Sequence, residues 1–108
     1  MPKDILIGIP TYKDWYRVDT LLSSLEDNTP AEDYERLNLI VLDDGTPDQE
    51  IVEGLREACQ YHKVKFIQHP QNKGIPSAWN SLSRAGDEPL IILFNDDIVF
   101  CNPDWIKC

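Results

Sequence analysis

A chain of 108 residues with 42% hydrophobic and 27% charged side chains is long enough for one domain with a real core, and short for a complete α/β enzyme. Its formal net charge of −9 argues against a nucleic-acid binder, which needs a basic footprint, and repels a bare nucleotide unless a metal cation stands between them. No apolar run reaches membrane-spanning length, and Met1-Pro2-Lys3-Asp4 leads straight into a strand without a signal-peptide pattern. A cytoplasmic location, or the cytosolic face of a membrane, is expected. Cys59, Cys101 and Cys108 are odd in number and form no Cys-x-x-Cys pair, which points to neither a disulfide framework nor a zinc site.

Ile5, Leu6, Ile7 and Ile9 form a nearly continuous apolar run, the pattern of a parallel strand covered on both faces. Pro10 is expected to stop it and to open the loop Pro10-Thr11-Tyr12-Lys13. Asp14 is placed to cap the next helix, where Val18, Leu21, Leu22 and Leu25 recur at helical spacing. That helix should end near Asn28-Thr29-Pro30, since Pro30 cannot continue it. Ala31 to Arg36 reads as an acidic connector, with Glu32-Asp33-Tyr34-Glu35 as a solvated face.

Leu37 to Leu42 is the second strand, ending on Asp43-Asp44-Gly45-Thr46-Pro47, where Gly45 permits a tight turn. Asp48 is expected to cap a second helix with Ile51, Val52, Leu55 and Ala58 facing inward. Val64, Phe66 and Ile67 make a short third strand, followed by a polar loop from His69 to Gly74. His62 and His69 read as isolated surface or loop residues. Pro76 suits the first turn of a third helix, with Ala78, Trp79, Leu82 and Ala85 as its apolar face and Gly86 closing it. Leu90 to Phe94 reads as a buried fourth strand that empties onto Asn95-Asp96-Asp97. Asn102-Pro103-Asp104-Trp105 looks like the cap and first turn of a further helix with few residues left to build it, which predicts a truncated single domain over 1–108. Trp15, Trp79 and Trp105 read as helix anchors, with sugar stacking open for Trp105.

Strands alternating with helices imply βαβ units: a Rossmann-like α/β fold with a mainly parallel sheet of about four strands. Loops at the carboxyl ends of such strands gather on one rim, where ligands of open α/β sheets bind. Pro10-Thr11-Tyr12, Asp43-Asp44-Gly45 and Asn95-Asp96-Asp97 therefore belong together. The adjacent carboxylates of Asp96 and Asp97 repel each other, and a cation relieves that repulsion. Mg²⁺ uses one or two protein carboxylates and takes its other ligands from water and substrate phosphates. The pattern predicts a divalent-metal site holding a phosphorylated ligand, with two solvated turn aspartates as the bland alternative.

With these residues in view, the chain resembles the N-terminal, nucleotide-sugar-binding half of the family 2 glycosyltransferases, which have the GT-A fold. Ile5-Leu6-Ile7-Gly8-Ile9-Pro10-Thr11-Tyr12 is similar to that family's first strand and Pro-Thr-Tyr loop, and Val41-Leu42-Asp43-Asp44-Gly45-Thr46 to its Val-Asp-Asp-Gly-Ser turn. Asn72-Lys73-Gly74-Ile75-Pro76-Ser77-Ala78-Trp79-Asn80 matches Asn-x-Gly-x-x-x-Ala-x-Asn, and Asn95-Asp96-Asp97 stands where the family carries Asp-x-Asp. The resemblance implies that Pro10, Thr11 and Tyr12 line the base and ribose pocket. It implies that Asp44, with Asp43 as second choice, accepts a hydrogen bond from the base edge; the alternative for this pair is a turn aspartate bonding its own backbone.

Gly74 would let backbone approach the nucleotide, and Lys73 would face either the diphosphate or solvent; Asn72 and Asn80 have loop-ordering as an alternative role. Asp97 would hold Mn²⁺ or Mg²⁺, and Asp96 the ribose or a metal-bound water. Asn95 departs from the motif's first Asp but keeps an oxygen ligand. The donor would be a UDP-, GDP- or dTDP-linked sugar and the acceptor a glycan, lipid or protein. The family's catalytic base lies after the metal motif, so no base is nominated.

A non-catalytic nucleotide-binding or interaction module with the same half-fold is the second reading. A dinucleotide oxidoreductase would need Gly-x-Gly-x-x-Gly where Gly8-Ile9-Pro10-Thr11 stands. A phosphoacceptor receiver would need its acids after the first and third strands rather than the second and fourth. An exposed sheet edge makes a homodimer an expectation.

Overall fold

Two strands with no polar face need cover on both sides, and the chain supplies it from three helices. The computed structural model describes residues 3–94. In chain order these form β1 (Ile5–Thr11), α1 (Tyr16–Asp27), α2 (Ala31–Tyr34), β2 (Leu37–Asp43), α3 (Gln49–His62), β3 (Lys65–Gln68), α4 (Ile75–Ser83) and β4 (Leu90–Leu93). All pairings are parallel and the sheet order is β3-β2-β1-β4. β1 runs beside β2 from Ile5 opposite Leu37 to Thr11 opposite Asp43, and Asp43 in turn stands opposite Gln68 of β3. On its other side β1 pairs with β4, from Ile5 opposite Leu90 to Gly8 opposite Leu93.

The period of two along a strand sorts the core into two layers. Ile5, Ile7, Ile9, Leu37, Leu39 and Val41 meet Val18, Leu21, Leu22 and Leu25 of α1 and Leu55 and Cys59 of α3. Leu6, Ile40 and Leu42 face the other way and meet Ala78 and Leu82 of α4. Each fully buried Leu or Ile contributes roughly 1.5–3 kcal/mol of transfer free energy, so these layers hold the strands in register. A slip by one residue would exchange the layers.

Asp14 accepts from the backbone N–H of Arg17 in the first turn of α1 (3.0 Å), and Asp48 accepts from Glu50 at the start of α3 (2.9 Å). α1 stops at Asp27, two residues before Thr29-Pro30. Arg36 ties the approach to β2 to the approach to β1 through two bonds to Asp4 (3.0 and 2.9 Å). Its guanidinium holds the Asp4 carboxyl below the ordinary value.

Several details differ from the sequence reading. β1 runs through Pro10 to Thr11 instead of stopping at it. Gly8 offers its carbonyl to Phe94 on the β4 side and Thr11 offers its own to Asp44 on the β2 side, so by alternation the missing N–H of Pro10 falls beyond Leu93 and breaks no described ladder bond. The acidic connector contains the short helix α2, and its Asp33 is buried near Arg36 (3.8 Å) rather than solvated. α4 ends at Ser83, before Gly86, and its Trp79 is 42% exposed. β4 is the edge strand among the described residues, with Leu90 51% and Ile91 39% exposed, rather than a buried strand.

Neither described histidine is a surface residue. His62 closes α3 against α1, with Nδ1 2.6 Å from Glu26 and Nε2 2.9 Å from Asp19. Among the described residues no helix is long and apolar enough to cross a membrane.

Candidate functional site

The order β3-β2-β1-β4 places the reversal of winding between β1 and β4, and in open α/β sheets that crevice, beyond the carboxyl ends, is where ligands bind. Pro10 and Thr11 end β1 there, both buried, while Tyr12 is exposed just outside. Lys13 takes the left-handed conformation (φ 60°) and lays its Nζ 5.1 Å from the centre of the Tyr12 ring. Trp15 packs on α3 so closely that a Cβ at Gly54 would lie 2.9 Å from its ring. It anchors α1 to α3.

Two adjacent aspartates at the end of β2 knit the neighbouring loops to this rim. Asp43 is fully buried. Its Oδ2 accepts from the Thr46 backbone (3.1 Å) and its Oδ1 from the Thr46 hydroxyl (2.5 Å), an aspartate bonding within its own turn. The Thr46 hydroxyl in turn accepts from the Lys13 N–H (2.9 Å), so Asp43 secures the loop after β1 through Thr46.

Asp44, 3% exposed, secures the loop after β3. Its Oδ1 accepts from the Lys73 N–H (3.1 Å) and lies 2.8 Å from His69 Nδ1, while its Oδ2 accepts from the Gly74 N–H (2.9 Å). His69 Nε2 is 2.9 Å from Ser81 Oγ on α4. Gly45 adopts φ +78°, and a Cβ there would fall 2.1 Å from the Gln71 backbone, so the loop after β3 crosses directly over it. Gly74, at φ +89°, is the N-cap of α4. The Lys73 side chain is exposed while its backbone is held.

A carboxylate offers about four lone-pair positions. Among the described residues, His69, Lys73 and Gly74 engage three of them on Asp44, which leaves one acceptor position on Oδ2. Such a group can read one further N–H.

Of the residues expected at the site, Pro10, Thr11, Tyr12, Asp43, Asp44, Lys73 and Gly74 come together along one rim. Asn95, Asp96 and Asp97 lie outside the described residues. Among the described residues no three His, Cys, Asp or Glu side chains gather as a metal cage.

The chain matches the glycosyl transferase family 2 over residues 6–107. It belongs to that family. The chain also resembles solved structures in fold. The mannosyltransferase PcManGT from Pyrobaculum calidifontis, solved in complex with GDP-Man and Mn²⁺, aligns with a TM-score of 0.80 at 15% identity over 96% of this chain. TarS 1-349 of S. aureus aligns at 0.76 and 21% identity in its complex with UDP-GlcNAc, and at 0.71 and 23% in a second structure, again over 96% of this chain. This chain spans only 30% of the PcManGT chain and 29–30% of the TarS 1-349 chains. At these identities the likeness carries the fold, the Rossmann-like GT-A arrangement of a parallel sheet with flanking helices. No curated protein matches the chain in sequence.

Two members of this family 2 rim escaped the sequence reading, His69 and Ser81. No local pattern marks them, because their bonds span 25 and 12 residues. The available signal was topological: a histidine directly after a strand that neighbours β2 must fall beside Asp43-Asp44.

Proposed function

We propose that this family 2 glycosyltransferase chain binds the donor of a sugar transfer, a nucleoside diphosphate sugar, at the β1–β4 rim together with a divalent metal. The observation that carries the reading is the buried Asp44 carboxylate, held by three partners and with one acceptor position open among the described residues. Uracil, thymine and guanine each present one ring N–H on their pairing edge, and a fixed acceptor is what recognises it. Pro10, Thr11 and Tyr12 line the base and ribose side. Asp43, fully buried and bonded on both oxygens to Thr46, holds the loop that carries Tyr12 and Lys13 instead of touching the base. Gly74 brings its backbone to the nucleotide, and the exposed Lys73 side chain faces the diphosphate.

Asp96 and Asp97 offer hard carboxylate oxygens, the donor type that Mn²⁺ and Mg²⁺ take. Asp97 would hold the metal, and Asp96 the ribose or a metal-bound water. A metal bound there supplies Lewis-acid offset of the charge on the leaving nucleoside diphosphate. The chain's own residues bind and orient the base end of the donor. That PcManGT was solved with GDP-Man and Mn²⁺ and TarS with UDP-GlcNAc supports the ligand class.

Calorimetric titration of UDP, GDP and dTDP, with and without Mn²⁺, tests the reading on the chain and on its Asp97→Ala variant. Metal-dependent binding of one nucleotide, lost in Asp97→Ala, is expected. A folded chain that binds none of the three with Mn²⁺ present would sink it.

A further inference from the structure

We propose that His69 and Ser81 are positioning residues that set the base selectivity of this chain, by fixing which acceptor position of Asp44 is left for the donor. The inference rests on the donor-binding reading above and adds a device that the family match does not assign.

His69 enters the rim from the end of β3, its backbone N–H bonded to the Asp43 carbonyl (2.8 Å) and its ring buried. Lys73 and Gly74 give Asp44 backbone N–H groups, so the carboxylate acts toward them as an acceptor. Toward His69 it acts the same way, and Nδ1 is the donor at 2.8 Å. Nε2 lies 2.9 Å from the Ser81 hydroxyl, a hydrogen bond that fixes the ring from its far side and joins the relay to α4.

The loop itself does not need this relay. Lys73 and Gly74 already tie it to Asp44, and it crosses Gly45 so closely that a Cβ there would meet its backbone. What the ring adds is occupancy of Oδ1. With His69 present, both lone pairs of Oδ1 are engaged and only Oδ2 can accept from a ligand. Without it, each oxygen keeps one backbone N–H and one open position, water can enter the space the ring leaves, and a ligand N–H is no longer demanded at one point. A site loses discrimination when its buried polar group can satisfy itself elsewhere.

The test is calorimetric titration of the intact chain in Mn²⁺ with its preferred nucleoside diphosphate and with the same nucleotide methylated at the ring N–H. Wild type should bind the methylated nucleotide at least about tenfold more weakly. His69→Ala should shrink that penalty to about threefold or less, and Ser81→Ala should reduce it partway. His69→Asn, whose amide nitrogen can stand where Nδ1 stood, should restore it. If His69→Ala weakens both nucleotides equally and keeps the penalty, His69 is only structural and the proposal falls while donor binding stands. If His69→Ala does not fold, Ser81→Ala decides by the same criterion, an undiminished penalty overturning the proposal. Wild type that binds without any methylation penalty overturns it as well. Wild type that binds neither nucleotide overturns the donor reading itself, and the inference with it.

Discussion

Gly45 and Gly74 both sit at positive φ in the loops around Asp44, yet different forces require them. Among the described residues a Cβ on Gly74 meets nothing closer than Pro76 Cδ at 3.9 Å, so Gly74→Ala suffers backbone strain, about 2 kcal/mol for its extended positive-φ conformation. A Cβ on Gly45 would fall 2.1 Å from the Gln71 carbonyl carbon and 2.3 Å from the Asn72 nitrogen, backbone atoms that cannot turn aside. Gly45→Ala should therefore cost at least about 2 kcal/mol more than Gly74→Ala in urea denaturation; equal costs would mean the loop can lift away. The sequence marks Gly45 as a turn glycine but not the loop above it. The same blindness hid His62 and His69, because a histidine's partners lie across the fold rather than beside it in the chain. Cys59 is a third buried group with a measurable signature. Burial pushes its thiol from 9.0 up to about 12. As pH rises past 9.0 the unfolded thiol loses its proton first, the unfolded state binds fewer protons, and stability falls until the native thiol also ionises near 12. By about pH 11 wild type should have lost on the order of 2 kcal/mol more than Cys59→Ala has over the same rise from neutral pH. Parallel pH profiles for the two proteins would show that the thiolate is tolerated inside.

β1 and β2 are legible as strands because their apolar runs serve two cores at once, and the structure buries every residue of both. α1 and α3 are legible for the complementary reason, a single apolar stripe at helical spacing. The sheet edge is where composition misleads. Leu90 and Ile91 are as apolar as the residues of β1, but β4 has only β1 beside it among the described residues, so their burial depends on what else covers that strand. α2 was unreadable because a helix of four residues has no periodicity to show. Contact between the legible helices is also polar, and that part was not legible. His62, with 1% of its side chain exposed, reaches Glu26 and Asp19 on α1, both more than a third exposed. Removing the ring deletes two hydrogen bonds to charged groups whose oxygens can rehydrate, so the loss is smaller than for a fully buried pair. His62→Ala should cost about 2 kcal/mol, whereas Tyr61→Ala next to it, at a residue 80% exposed, should change stability by less than about 0.5 kcal/mol. A double-mutant cycle of His62→Ala with Asp19→Asn should give a coupling of about 1 kcal/mol. Additivity would assign the His62 effect to packing alone.

Parallel strands joined by helices made the rim predictable, but the order of those strands was not, and the order matters to the site. With β4 beside β1, the crevice lies between the Pro10-Thr11-Tyr12 loop and the end of the strand that precedes Asn95-Asp96-Asp97. Onto this rim the whole chain projects the field of 19 acidic against 10 basic side chains, a net −9. Lys13 and Lys73 are the local counterweight, both exposed on loops of the rim. Two solvated ammonium groups attract a diphosphate only weakly through water, while the excess acid acts over the whole molecule, so repulsion should win when no metal is present. The Debye length shortens from about 20 Å near 20 mM salt to about 7 Å near 200 mM, and distant charges drop out of the balance before near ones do. Metal-free affinity for the nucleoside diphosphate should therefore strengthen by about two- to fivefold over that range, the reverse of the salt dependence of a basic nucleotide or nucleic-acid site. With Mn²⁺ present the trend should flatten or invert, because the ligand then arrives with most of its charge offset. Fluorescence titration of a labelled nucleotide, with EDTA or Mn²⁺ at each salt concentration, measures both slopes. A metal-free affinity that weakens as salt is added would show that Lys13 and Lys73 outweigh the net charge and that the chain draws in the diphosphate without a metal.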